Sequence, residues 1–271
     1  MASTTGHQQA GGVTGPTRAQ IDAKTLRTDR WWLSPTVTFV IFSGFVVFAT
    51  YRAFVGDHFY SEPYLSPFFS PCITADCQGA TELPIIADWW RLSPALVILI
   101  FPLGFRMTCY YYRKAYYRSF WLSPPACAVA EPHTAYTGET RFPLLLNNLH
   151  RYFWYGAVAV AAFLTFETVL AFGPAEGESA GIHMGLGTLL FVANSFLIWM
   201  YTLSCHSCRH ITGGRLRHFS KHPVRYKLWT WVSKENARHS MWAWWSLFSV
   251  AGVDLYVYLL STGTITDPRF F

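Results

Sequence analysis

The chain has 271 residues, of which 52% are hydrophobic, 18% aromatic and only 13% charged, with a formal net charge of +6. Its mean hydropathy lies above zero, which is the composition of a membrane protein and excludes a soluble basic module. The pI near 9.0 therefore has its source in membrane-flanking Lys and Arg, not in nucleic-acid binding.

Residues 1–30, which begin MASTTGHQQAGGVTGPTRAQ, are polar, rich in Gly and Thr and without an apolar core. They read as a disordered or docking tail, and no cleavable signal peptide is evident. The remainder, 31–271, reads as a single all-α membrane domain, a bundle of five transmembrane helices. A helical crossing needs about 20 apolar residues. The five segments that approach this are Pro35 to Phe54, Pro94 to Tyr112, Tyr152 to Phe172, His183 to Leu203 and Ser240 to Leu260. The second is the least regular, because Pro102 kinks it and Arg106 falls before its end. The first two open alike, with WWLSPTV (Trp31 to Val37) and WWRLSPAL (Trp89 to Leu96). Each places tryptophans at the membrane interface, a serine where an N-cap belongs and a proline in the first turn.

Basic residues stay on the cytoplasmic side of a membrane. With the amino terminus inside, eighteen of the 21 Lys and Arg fall on that side, leaving only Arg52, Arg91 and Arg269 outside. The expected topology is an amino terminus in the cytoplasm and a carboxy terminus outside. Cys72 and Cys77 then lie in the outer loop YLSPFFSPCITADC, where an oxidising compartment allows a short bracing disulfide. Cys109, Cys127, Cys205 and Cys208 lie inside, where thiols stay reduced unless a metal or a reaction uses them.

The inner ends of the last four helices carry Cys109, His150, Cys205 and His239, with His206, Cys208 and His210 following Cys205 in the stretch SCHSCRH. Seven soft or borderline metal ligands are thus expected on one membrane face. Cys205 and Cys208, three apart, can both reach one ion from a helix or helix-ending turn. Zinc suits the donors but explains neither the third and fifth helices nor the intramembrane charges. Haem b needs two facing histidines, which His150 and His239 supply, and leaves the cysteines surplus. A Rieske-type 2Fe-2S centre takes two cysteines on one iron and two histidines on the other, and alone among the three uses both residue types. Two ferric ions, two sulfides and two thiolates also sum to a neutral centre, which a low-dielectric setting favours. Arg106, one turn before Cys109, is placed to stabilise an added electron. The first ligand set is Cys205 with Cys208 or Cys109, and His150 with His239; His206 and His210 stand next.

Three stretches carry a family resemblance: RMTCYYYRKAYYRSFWLSPPACAVAEPH, TGETRFPLLLNNLHRYFWY and SCHSCRHITGGRLRHFSKHPVRYKLWTWVS. From about Arg106 to His239 the chain resembles the membrane anchor subunit of the actinobacterial type of succinate dehydrogenase, respiratory complex II. The resemblance implies a five-helix anchor in the bacterial cell membrane, carrying a flavoprotein subunit and an iron-sulfur subunit on its cytoplasmic face. It also implies electron delivery from succinate to menaquinone or a related quinone such as ubiquinone. Haem-bearing relatives use bundle histidines for haem b, whereas this anchor class is associated with a Rieske-like centre in the membrane.

The inner edge is rich in Tyr, Trp and Arg, and Arg151, Tyr152 and Trp154 are candidates for holding a quinone ring and its carbonyls. Glu167 and Asp254 fall inside helices, in the outer half, and with His183 outline a proton path or, alternatively, a hydrogen-bonded link between helices. A different class, a self-contained cation or proton transporter with a cytoplasmic zinc site, also accommodates these acids. It lacks the internal repeats and paired broken helices that transporters show. No group for the chemistry of succinate itself is visible, so that chemistry belongs to partner chains.

Overall fold

The computed structural model describes residues 27–74, 77–80, 92–132, 138–142 and 144–271. Most of the polar tail, and Trp89, Trp90 and Arg91 of the second start signal, lie outside the described residues. In chain order the helices are α1 (Leu33–Val55), α2 (Ala95–Ile98), α3 (Ile100–Thr108), α4 (Tyr110–Ala115), α5 (His150–Leu170), α6 (Leu186–Leu203), α7 (His206–Gly213), α8 (Pro223–Asn236) and α9 (His239–Ser261). A small antiparallel hairpin, β1 (Tyr60–Ser61) and β2 (Tyr64–Leu65), follows α1. Among the described residues four helices are long and apolar enough to cross a membrane: α1, α5 with the 3-10 turn Leu144–Leu149 before it, α6 and α9. The chain is a multi-pass, all-helical membrane protein.

The second apolar segment departs from the expected single crossing. Its apolar helical part, Ala95–Thr108, is shorter than a full span and interrupted at Leu99, with a second interruption at Cys109. Pro102 is the physical cause of the first break. It has no N–H for the carbonyl of Ile98, and its ring crowds that carbonyl. Regular bonding resumes when Leu103 donates to the Leu99 carbonyl at 2.9 Å. The fourth span also starts later than expected, at Leu186, because Met184 and Leu186 donate their backbone N–H groups to the carbonyls of Phe271 and Pro268 in the C-terminal tail.

The chain forms two compact units. One is built from residues up to Gly44 and Met107–Leu149. In it the first half of α1 packs on α4 and the stretch after it: Phe42 stacks on Tyr112 and Phe39 meets Phe120 edge-on, both at 5.0 Å. The Ser119 hydroxyl donates to the Pro35 carbonyl at 2.9 Å.

The other unit comprises Phe45–Arg106 and His150–Phe271. Helices α3 and α5 are keyed by reciprocal notches. A Cβ added at Gly104 would come within 2.4 Å of the Phe153 ring, and one at Gly156 within 2.3 Å of Phe101. Small residues that admit a neighbour's side chain are how helices pack without a hydrophobic driving force between them. The core between α5, α6 and α9 holds Tyr64, Ala171, Phe191, Val253 and Val257.

The loop after α1 is a plug, with Phe59, Tyr64, Leu65, Phe68 and Phe69 all buried and Phe59 stacked on Phe69 at 4.4 Å. Cys72 and Cys77 form a disulfide within it. The C-terminal tail closes over this plug: the Tyr64 and Tyr256 hydroxyls each donate to the Asp267 carboxylate at 2.6 Å, and Arg269 pairs with Glu178 at 3.2 Å. Burial, helped by the bond to Asp267, pushes the Tyr64 phenol up to about 12.

Candidate metal and redox site

Cys205 stands where α6 has ended and α7 begins. It is the N-cap of α7, and its sulfur accepts the N–H of Ser207 at 3.3 Å. A helix N-terminus favours negative charge, so this is a position that suits a thiolate. The first residue of α5, His150, brings Nε2 to 3.2 Å from the Cys205 sulfur. His206, the first residue of α7, places Nδ1 4.0 Å from the same sulfur. One ligand atom from each of His150, Cys205 and His206 lies within 4.8 Å of the others. His150 and Cys205 are buried and His206 stands exposed at the rim.

Behind this trio runs a ladder of rings. His206 stacks on His150 at 5.1 Å, His150 on Phe105 at 4.8 Å, Phe105 meets Tyr201 at 4.9 Å, and Tyr201 stacks on His239 at 5.0 Å. His239 is buried, and its Nδ1 is 2.7 Å from the Ser204 hydroxyl. Arg106 is also buried. Its guanidinium lies over Tyr201 at 4.9 Å and donates to the Ser246 hydroxyl and the Ala243 carbonyl at 3.2 Å. Phe105, Arg106 and Tyr201 also line an apolar cavity of about 50 Å³.

The remaining candidates are placed as follows. Cys208 is buried on α7, with its sulfur 4.0 Å from the Thr212 hydroxyl; burial pushes its thiol up. His210 is exposed, and neither it nor His239 belongs to the trio. Cys109 is buried in its interruption between α3 and α4. Arg151 and Tyr152 are exposed on α5, whereas Trp154 is buried and donates to the Thr202 carbonyl at 2.9 Å. Asp254 is bound in a buried ion pair with Arg52 at 2.9 Å and accepts from the Ser66 hydroxyl. Glu167 is buried on α5. His183 lies outside α6, its Nε2 2.9 Å from the Ser179 carbonyl and its Nδ1 3.6 Å from Glu178.

His206, which stands after His239 in the sequence ranking, lies with His150 beside Cys205. Sequence reasoning did not find Phe105 and Tyr201, whose roles arise only when three helices meet, nor the bond between Arg52 and Asp254. In the first unit, Trp31, Trp32, Phe39, Ser119, Leu122 and Pro125 line a cleft of about 290 Å³.

Fold and site together define a multi-pass helical membrane protein with a buried histidine–cysteine group at the ends of its spans. The chain belongs to the family of the actinobacterial succinate dehydrogenase subunit SdhC, whose model matches residues 33–263. It is thus a membrane anchor subunit of a bacterial succinate dehydrogenase. Its structure is similar to a chain of the Mycobacterium smegmatis Sdh1 complex in the apo form, at 51% identity and a TM-score of 0.82, over 97% of this chain and 100% of that one. No curated protein matches.

Proposed function

We propose that this anchor holds a flavoprotein and an iron-sulfur subunit at the cytoplasmic face and passes their succinate-derived electrons to menaquinone or a related quinone through a Rieske-type 2Fe-2S centre. The observation that carries the reading is the convergence of two imidazoles and one thiol at His150, His206 and Cys205. The donors fit such a centre: imidazole nitrogens and a thiol meet within 4.8 Å, and a second buried thiol, Cys208, follows one helical turn later on α7. His150 and His206 would hold the imidazole side and Cys205 and Cys208 the thiolate side, with His239 as the reserve candidate. When bound, the group supplies a one-electron relay of higher potential than an all-cysteine cluster.

The chain's own residues prepare that relay. The α7 N-terminus stabilises charge on the Cys205 sulfur, Phe105 fixes the His150 ring, and buried Arg106 sets a positive potential beside Tyr201. A haem b held between His150 and His239 does not fit, because the rings of Phe105 and Tyr201 occupy the space between the two imidazoles. A single zinc ion remains the second reading, since separations of 3.2 and 4.0 Å from the Cys205 sulfur also suit ligands of one tetrahedral ion.

The aromatic cleft of about 290 Å³ is nearly the size of a small ligand pocket and receives the quinone ring in this reading. Arg151 and Tyr152, both exposed on α5, offer hydrogen-bond donors in the other unit as an alternative quinone contact. For topology, the stretch from Ala95 through α4 serves as a broken crossing, which gives five passes with the amino terminus inside and the carboxy terminus outside. Glu167, with His183, is assigned to proton movement at the outer face, and Asp254 to the link with Arg52.

The test compares two electron acceptors in the intact complex. His150→Ala and Cys205→Ser should lower succinate-to-quinone activity at least about tenfold. Succinate oxidation with a water-soluble dye should continue, because the flavin sits on another chain. Quinone reduction at the unmodified rate in both variants would refute the assignment.

A further inference from the structure

α8 carries an apolar stripe that no other element covers among the described residues. Val224, Leu228 and Trp231 recur at i, i+4 and i+7 and so share one face. They are 69%, 52% and 41% exposed. Lys227 and Lys234, both exposed, flank that face on one side.

The opposite face is fastened to α7, which fixes the direction of the stripe. Arg225 donates to the carbonyls of Thr212 at 3.0 Å and Ile211 at 3.3 Å. Arg209 lies over the Trp229 ring at 5.2 Å and donates to the Ser233 hydroxyl at 2.9 Å. Trp229 in turn closes on Gly213, where a Cβ would come within 2.3 Å of the indole. With this side held, the helix cannot roll to hide Val224, Leu228 and Trp231.

The C-terminal end of the stripe shows what it faces. One turn beyond Trp231, the buried Glu235 accepts a hydrogen bond from the Trp242 indole of α9 at 3.1 Å. The Trp242 ring meets Phe196 of α6 edge-on at 6.1 Å. Phe196 is exposed on a membrane span, as are Met241 and Trp245 on α9. The stripe therefore continues into the surface that α6 and α9 turn towards lipid. Charge points the same way: the stretch from Arg209 to Arg238 contains eight Lys and Arg and a single acidic residue, Glu235.

We propose that α8 is an interfacial helix that binds anionic phospholipid. Val224, Leu228 and Trp231 enter the boundary between headgroups and acyl chains, and Lys227 and Lys234 pair with headgroup phosphates. This assignment does not depend on the cofactor reading.

The test places the intact complex in nanodiscs of phosphatidylcholine, with or without phosphatidylglycerol, containing a trace phospholipid with a diazirine near the glycerol end of one acyl chain. After irradiation, lipid adducts are mapped by mass spectrometry, with the α9 peptide around Trp245 as the internal positive. Adducts on Val224 to Trp231 are expected, increased by phosphatidylglycerol, and the increase should be lost in Lys227→Gln/Lys234→Gln. Equal labelling in both mixtures would overturn the anionic-lipid assignment. Labelling at Trp245 but not on α8, with α8 lysines instead cross-linked to a soluble subunit, would make this face a protein-docking surface and overturn the proposal entirely.

Discussion

Arg52 and Asp254 are almost completely buried, 202 positions apart in sequence, and each spends its bonding capacity on the other and its neighbours. Arg52 also donates to the carbonyls of Asp57 and His58 and lies over the Tyr258 ring at 4.8 Å. Removing one member of such a pair leaves an uncompensated charge, so Arg52→Met should lower stability by about 3–5 kcal/mol, with Arg52→Met/Asp254→Leu recovering part of it. Glu167 has the opposite expectation under the proton-path proposal: Glu167→Gln should slow quinone turnover with little loss of stability. Thermal unfolding of the complex, read beside turnover, separates the two residues; equal behaviour of both variants would return Glu167 to a packing role. At this scale the sequence exposed the donor residues but not their partners. His150 and Cys205 are conspicuous as polar groups at span ends. That they meet at 3.2 Å, with His206 as third member, depends on where the turn between α6 and α7 points.

The elements were more legible where hydropathy alone sets them. α1, α5, α6 and α9 follow from uninterrupted apolar runs, and each begins within three residues of its expected start. The break at Leu99 follows from Pro102, whereas the interruption at Cys109 and the buried plug after α1 have no comparable local signal. The plug is polar enough in places to resemble a surface loop. Its aromatic side chains find cover in one another and against helices, as Phe59 on Phe69, Phe68 against Phe45 of α1 and Tyr64 against Phe191 of α6. The notches between α3 and α5 give this scale its test. Gly156→Val should force the Phe101 ring out of place and cost about 1–3 kcal/mol, read as a lower unfolding temperature of the complex. Gly252→Ala on α9, where an added Cβ meets nothing within 4 Å, is the matched control and should leave that temperature nearly unchanged.

For the whole molecule, the ring ladder from His206 to His239, the Arg106 guanidinium and the trio around Cys205 all lie in the unit that contains α5, α6 and α9. The same unit carries the clasp of Tyr64, Asp267 and Arg269, so one folded body holds the His150, Cys205 and His206 group and this clasp together. The most direct measurement is low-temperature electron paramagnetic resonance of the reduced complex, recorded with metal content for the unmodified protein and for Cys205→Ser. The account predicts a Rieske-type signal beyond those of the soluble subunits' clusters, lost in Cys205→Ser together with about two irons per complex. An identical spectrum and iron content in both proteins, or zinc in place of the missing iron, would contradict it.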